Sequence, residues 1–182
     1  MSAWTRMRLP TQRELLIGFY DLTSYIKFAA KTDSLEVLKV LSAYFSLTGR
    51  IIAEHGGKLI KSMGDAGLCA FFAEDADAGI LALRSVQREG GAFLASHGYA
   101  ARTLVKVHLG PVALGLVGAP DEERLDVYGK TVNAAVAVPS QGFAMTPPAF
   151  RALSPETRKM FKKHTPPVTY IALEDSHATP ER

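Results

Sequence analysis

The chain has 182 residues, 47% of them hydrophobic, which suits one domain with its own core. Its net charge of +3 leans mildly towards anionic partners without pointing to nucleic acid, and its single cysteine, Cys69, excludes an internal disulfide. No apolar run approaches the roughly 20 residues that span a membrane, and residues 1–12 lack the apolar stretch of a signal peptide, so a cytoplasmic chain is expected.

Residues 1–12 read as a short leader in which Trp4 packs on its own domain rather than on a partner. A first strand is expected over about 14–20, ending at Asp21. A helix follows from Asp33 or Ser34, where Asp33 and Glu36 resemble a capping box. Val37, Val40, Leu41, Tyr44, Phe45, Ile51 and Ile52 then recur at helical spacing up to Gly56-Gly57. Next comes a hairpin, about 58–63 and 67–73, turning at Gly64-Asp65-Ala66-Gly67; Cys69 lies in its second strand and reads as a buried small hydrophobe. A second helix starts near 75, with Gly90-Gly91 as an expected break. Two strands, about 102–109 and 112–118, are expected to form a Gly-rich hairpin, followed by a polar loop and a third helix from Thr131. A short strand near Phe143, a helix near 147–152, a basic stretch 156–164 and a last strand over Val168 to Leu173 complete the domain, 13–175, and residues 176–182 form a frayed tail. The order β-α-β-β-α-β is the ferredoxin-like arrangement: an α+β fold, its antiparallel sheet carrying helices on one face.

Asp21 and Asp65 are the most informative residues, because each closes an apolar strand. If those strands are neighbours, two carboxylates stand side by side, and at contact distance they repel by roughly 4 kcal/mol at a surface-like dielectric. A cation between them removes that cost, and oxygen-only ligands point to Mg²⁺ or Mn²⁺. Carboxylate-held divalent ions are common machinery for nucleotide phosphates.

Three separated segments carry a resemblance. They are Phe19-Tyr20-Asp21-Leu22-Thr23-Ser24-Tyr25, then His55-Gly56-Gly57-Lys58 with Lys61-Ser62-Met63-Gly64-Asp65, and Leu125-Asp126-Val127-Tyr128-Gly129-Lys130-Thr131-Val132-Asn133-Ala134-Ala135. In order and spacing they resemble the class III adenylyl and guanylyl cyclase catalytic domain, over about 14–173. The resemblance implies a nucleotide cyclase fold in which Asp21 and Asp65 hold two ions, Mg²⁺ or Mn²⁺, on the phosphates of ATP. It implies a head-to-tail homodimer, or a heterodimer with another cyclase chain, with each site shared between subunits. Backbone amides after Asp21 would serve as a phosphate site. Lys61 and Asp126 fall on the base-reading positions: an ammonium donates to adenine N1 and a carboxylate accepts from the 6-amino group, whereas guanine reverses both. Asn133 falls on the ribose-orienting position, and Lys162 or Lys163 on that of a phosphate-binding lysine.

The departure lies at Ala137, where the family carries an arginine that stabilises charge on the transferring phosphate; no arginine occurs between Arg124 and Arg151. Losing one such donor typically costs about 10²–10³ in rate. Either another cation substitutes, or the domain is a slow adenylyl cyclase, or it only binds nucleotide as a regulatory partner.

Other readings weigh less. Gly129-Lys130-Thr131 imitates a P-loop ending, but the glycine that motif needs five positions earlier is Arg124. The Gly-Gly-Asp/Glu-Glu-Phe turn of diguanylate cyclases is missing, since Gly56-Gly57 leads into Lys58-Leu59. Arg158, Lys159, Lys162 and Lys163 read as a basic, solvated helix face. His108 reads as a strand residue with a satisfied ring.

Overall fold

A computed structural model describes residues 3–176. The tail read as frayed lies, from residue 177 on, outside the described residues. The strands are β1 (Thr11–Leu22), β2 (Lys58–Met63), β3 (Ala66–Phe72), β4 (Thr103–Val117), β5 (Arg124–Tyr128), β6 (Phe143–Met145), β7 (Phe161–His164) and β8 (Thr169–Ala172). The helices are α1 (Tyr25–Ala29), α2 (Ser34–Glu54), α3 (Ala76–Ser96), α4 (Lys130–Ala137), α5 (Pro147–Arg151) and α6 (Pro155–Arg158). The strands form an 8-stranded sheet in the order β2-β3-β1-β4-β6-β8-β7, with β5 paired to β4.

The first four strands with α2 and α3 make the expected βαββαβ core, and their pairings are antiparallel. β6 joins β4 in parallel, so the sheet is mixed at that edge. Asp33 is the N-cap of α2 as expected, but its side chain accepts from the Leu35 N–H at 2.9 Å rather than from the Glu36 N–H that a capping box uses.

Strand alternation divides the core. Leu16, Tyr20, Cys69 and Phe71 face α2 and α3, among Val40, Tyr44, Ile52, Ile80 and Leu83. Leu15, Ile17, Phe19, Leu68 and Ala70 face the other way, against Trp4, Val127 and Ala135. The two long helices therefore share one face, while short α4 covers part of the opposite one. Trp4 packs on its own domain: it stacks on Phe72 at 4.5 Å and donates to the Gly56 carbonyl at 2.9 Å. Cys69 is fully buried with its Sγ 3.4 Å from the Gly18 carbonyl, and burial pushes the thiol up to about 12, far from a reactive thiolate.

Three expectations fail for identifiable reasons. Gly110-Pro111 does not turn: β4 runs unbroken through it, because β1 pairs along its length, with Leu15 opposite Gly110 and Glu14 opposite Pro111. A Cβ at Gly110 would meet the Thr131 Oγ1 at 2.8 Å, so this glycine marks the close approach of α4 rather than a bend. The hairpin lies further on, between β4 and β5. Gly90-Gly91 does not break α3, because Gly90 makes room for the buried Tyr44 ring. The basic helix face does not form: Lys162 and Lys163 lie on β7, Arg158 donates to the Phe150 and Arg151 carbonyls, and Lys159 pairs with Glu156.

The two glycines of α3 should respond oppositely to alanine. A Cβ at Gly90 would lie 2.8 Å from Tyr44, whereas one at Gly91 meets nothing within 4 Å. Gly91→Ala should stabilise by about 0.5–1 kcal/mol through helix propensity. Gly90→Ala should destabilise by about 1–2 kcal/mol through overpacking. Urea denaturation of the two variants measures both.

Candidate active site

The acidic pair sits at one end of the sheet. β1–β3 pairing ends at Tyr20 opposite Gly67, so one step further Asp21 falls beside Ala66, next to Asp65. Asp65 occupies the two-residue connection between Met63 and Ala66, whose first residue, Gly64, has φ 63. Tight hairpin turns need that positive φ, and glycine supplies it without strain. The turn is thus shorter than the four residues read from the sequence.

Asp21 carries the decisive feature. Its Oδ1 is buried and has no hydrogen-bond partner. Burial pushes its carboxyl above the ordinary range, the ammonium of Lys106 opposes that rise, and the negative charge of Asp65 adds to it. Burial chiefly, with both Asp21 and Asp65 adding, also raises Tyr44. An orphaned carboxylate oxygen with a like charge nearby is unfavourable as it stands and favourable around a cation. Among the described residues, no group of three or more His, Cys, Asp or Glu is placed to hold an ion. The pair has the make-up of Mg²⁺ sites that use one or two carboxylates and complete the shell with phosphate and water.

Lys61 and Asp126 are brought together although 65 residues apart, with Nζ to Oδ2 at 2.7 Å. A register shift between Leu59 and Lys61 sets Lys61 opposite Leu68, on the sheet face away from α2 and α3. Plain alternation from Leu59, which packs on the α2–α3 side, would aim Lys61 at the helices. Asp126 Oδ1 also accepts from the Val127 N–H at 2.8 Å, which fixes the carboxylate. Lys61 lies 5.8 Å from the centre of the Tyr128 ring.

Other candidate residues lie apart from this pair. Asn133 is exposed on α4, whose last residue is the exposed Ala137. Lys162 and Lys163 are successive on β7 and point to opposite faces, so only one of them can serve a given site. Lys162 donates to the Leu173 carbonyl at 2.7 Å. β7 is four strands from β1, on the order of 19 Å at about 4.8 Å per strand, so neither lysine reaches the acids of its own chain. Of the amides after Asp21, that of Thr23 is already bonded to the Arg102 carbonyl at 3.0 Å. His108 and Thr146 are satisfied together, Nδ1 to Oγ1 at 2.7 Å, and burial lowers the imidazole's pKa.

Lys106 was not singled out by sequence reasoning. It lies on β4 opposite Phe19, with its ammonium 3.2 Å from the Val136 carbonyl and 5.6 Å from the centre of the Phe19 ring. Alternation in β4 turns Lys106 away from the buried Val105 and Val107, so by pattern alone it reads as an ordinary solvated strand lysine.

A family model, the adenylate and guanylate cyclase catalytic domain, matches residues 8–164. The chain belongs to this family. It is 27% identical over 140 residues to the germination-specific adenylate cyclase of Dictyostelium discoideum, covering 70% of this chain and 16% of that protein. It is 30% identical over 124 residues to an adenylate cyclase of Streptomyces coelicolor, covering 68% and 29%, and 28% identical over 141 residues to retinal guanylyl cyclase 1 of Bos taurus, covering 71% and 12%. The chain thus spans less than a third of the length of these curated relatives. Among solved structures, the adenylyl cyclase CyaB from P. aeruginosa superposes with a TM-score of 0.78 at 13% identity, covering 91% of this chain and 96% of that one. At that identity the likeness establishes the fold. Cyclase catalytic domains bind nucleotide, commonly dimerise and generally depend on divalent metal. Among the described residues, no helix of this cyclase domain is long and apolar enough to cross a membrane.

The raised Asp21 carboxyl makes a signed prediction for the metal-free domain. A carboxyl whose folded pKa exceeds its unfolded value, about 3.9, costs stability as pH rises through the folded pKa. Asp21→Asn should therefore melt higher than wild type at pH 7–8, with the gap closing below about pH 4. Mn²⁺ should raise the melting temperature of wild type and leave that of Asp21→Asn unmoved. Scanning calorimetry across pH, with and without Mn²⁺, reads both effects.

Proposed function

We propose that this domain converts ATP to 3′,5′-cyclic AMP and pyrophosphate, slowly, at sites shared between the subunits of a head-to-tail dimer. The buried, unpartnered oxygen of Asp21 beside a second carboxylate carries the reading, since it answers to a cation on nucleotide phosphate. Asp21 and Asp65 would hold two divalent ions, Mg²⁺ or Mn²⁺. When bound, these supply charge neutralisation on the triphosphate and acidify the ribose 3′-hydroxyl. The reacting groups are the substrate's: the ribose 3′-oxygen gives up its proton to water and attacks the α-phosphorus, the bond from that phosphorus to the bridging β-phosphate oxygen breaks, and pyrophosphate leaves, while the chain's own side chains hold base, ribose and phosphates in line.

The Lys61–Asp126 pair supports ATP as the substrate. Lys61 presents N–H donors and Asp126 presents acceptor oxygens, the complement of adenine's N1 and 6-amino group. On binding, the two groups exchange their mutual hydrogen bond for bonds to the base. Guanine would leave both unpaired, which is costly in a part-buried pocket. Asn133 would orient the ribose, and Lys162 or Lys163 would meet phosphate.

A shared site is supported by where apolar side chains remain exposed. Met63 follows Lys61 on β2, Tyr128 follows Asp126 on β5, Val136 follows Asn133 on α4, and Leu116 and Val117 lie on the adjoining end of β4. Apolar side chains on the elements that carry the base-reading groups fit a partner surface. A homodimer is the reading preferred here, with pairing to another cyclase chain as its variant.

One observation favours a second reading. The last residue of α4 is the exposed Ala137, so the position where the family carries its arginine has no cation of its own. A regulatory domain that binds nucleotide without turning it over would show this feature.

Incubation of the purified chain with ATP and Mn²⁺ should yield cyclic AMP, and Asp65→Asn should lower the rate at least about 10²-fold. Mixing inactive Asp21→Asn with inactive Lys61→Ala should restore about a quarter of wild-type activity. Random exchange makes half the dimers mixed, each with one intact site of two. No product from wild type, with ATP binding retained, selects the regulatory reading. Product without rescue on mixing rejects the shared site.

A further inference from the structure

Lys106 is placed where a charge acts on the acidic pair without neutralising it. Phe19 pairs with Lys106 and Asp21 with Leu104, so Lys106 and Asp21 are diagonal neighbours on one sheet face. Such neighbours stand about 7–8 Å apart at the backbone, within reach of a long side chain. The ammonium does not swing onto the carboxylate. No salt bridge within 4.0 Å joins them, and the ammonium is instead held at 3.2 Å by the Val136 carbonyl. That carbonyl belongs to the last turn of α4, where the helix dipole favours a cation. The Phe19 ring, 5.6 Å away, holds the ammonium from a second side. Two anchors therefore fix a positive charge near Asp21 and leave its buried oxygen open. The electrostatic balance at Asp21 agrees, since Lys106 is the group that opposes the rise in its pKa.

We infer that Lys106 is a built-in cation that weakens divalent-ion binding to the nucleotide-free domain, so that tight ion binding waits for nucleotide phosphate. Two carboxylates and one ammonium leave a formal charge of −1, a poor trap for a bare divalent ion. A triphosphate brings the missing negative charge together with further oxygen ligands. The same ammonium, set against Val136 beside Ala137, adds positive charge at the end of α4 where the chain has no arginine. This inference rests on the proposal that Asp21 and Asp65 hold metal.

The test uses Mn²⁺ as the probe and nucleotide-free protein at low ionic strength, with free Mn²⁺ counted by electron paramagnetic resonance. A unit charge and a divalent ion roughly 7 Å apart at water-like screening change affinity by about five- to tenfold. Lys106→Met and Lys106→Gln should both bind Mn²⁺ tighter by that factor. Lys106→Arg, which keeps the charge, should stay within about twofold of wild type, and added salt should narrow the gap for the neutral variants. Unchanged or weaker Mn²⁺ binding in both neutral variants, with binding abolished in Asp21→Asn, overturns the role of Lys106 and leaves the metal site standing. Mn²⁺ binding unchanged in Asp21→Asn overturns the metal site and this inference with it.

Discussion

A carboxylate oxygen withdrawn from water and given no partner is the constraint on which the rest depends. Asp21 Oδ1 is such an atom, and the nearest comparable group, Asp65, adds charge of the same sign. Left alone, the pair strains the end of the sheet. Under the proposed function, a cation between the two would remove that repulsion and offer a polyanionic substrate its counter-charge. Burial at Asp21 is thus a cost in the free protein, one that the proposed binding would recover.

The fold serves this arrangement through a few local devices. Antiparallel pairing brings the end of β1 beside the β2–β3 turn, and Gly64 allows that turn to be short enough to hold Asp65 there. The irregularity in β2 turns Lys61 away from the helices, and pairing of β5 with the far half of β4 delivers Asp126 to it. Gly110 lets α4 press against β4, which carries Val136 to Lys106. Each device gives up some regularity of strand or helix, and each sits next to a group with a charge to place.

Legibility in the sequence followed the physics of each element. Strong periodicity made α2 and the β2–β3 hairpin plain, and the acids at strand ends were visible because apolar runs stop at them. The ion pair of Lys61 and Asp126 was reachable only through the family resemblance, since no spacing rule joins residues of two strands across a bulge. Glycine misled twice. At Gly90 and Gly110 the missing side chain admits a neighbour, Tyr44 or Thr131, and this tertiary reason leaves no local trace. Lys106 was passed over because a lysine in a strand is ordinarily solvated. Its meaning comes from Asp21 and Val136, which lie on other elements.

Joint chelation by Asp21 and Asp65 is the central claim, and anomalous scattering from crystals grown with Mn²⁺ and a non-hydrolysable ATP analogue tests it most directly. The account predicts an anomalous peak within about 2.0–2.2 Å of a carboxylate oxygen from each of the two residues. Peaks bound by only one of them, or phosphate seated away from both, would contradict it.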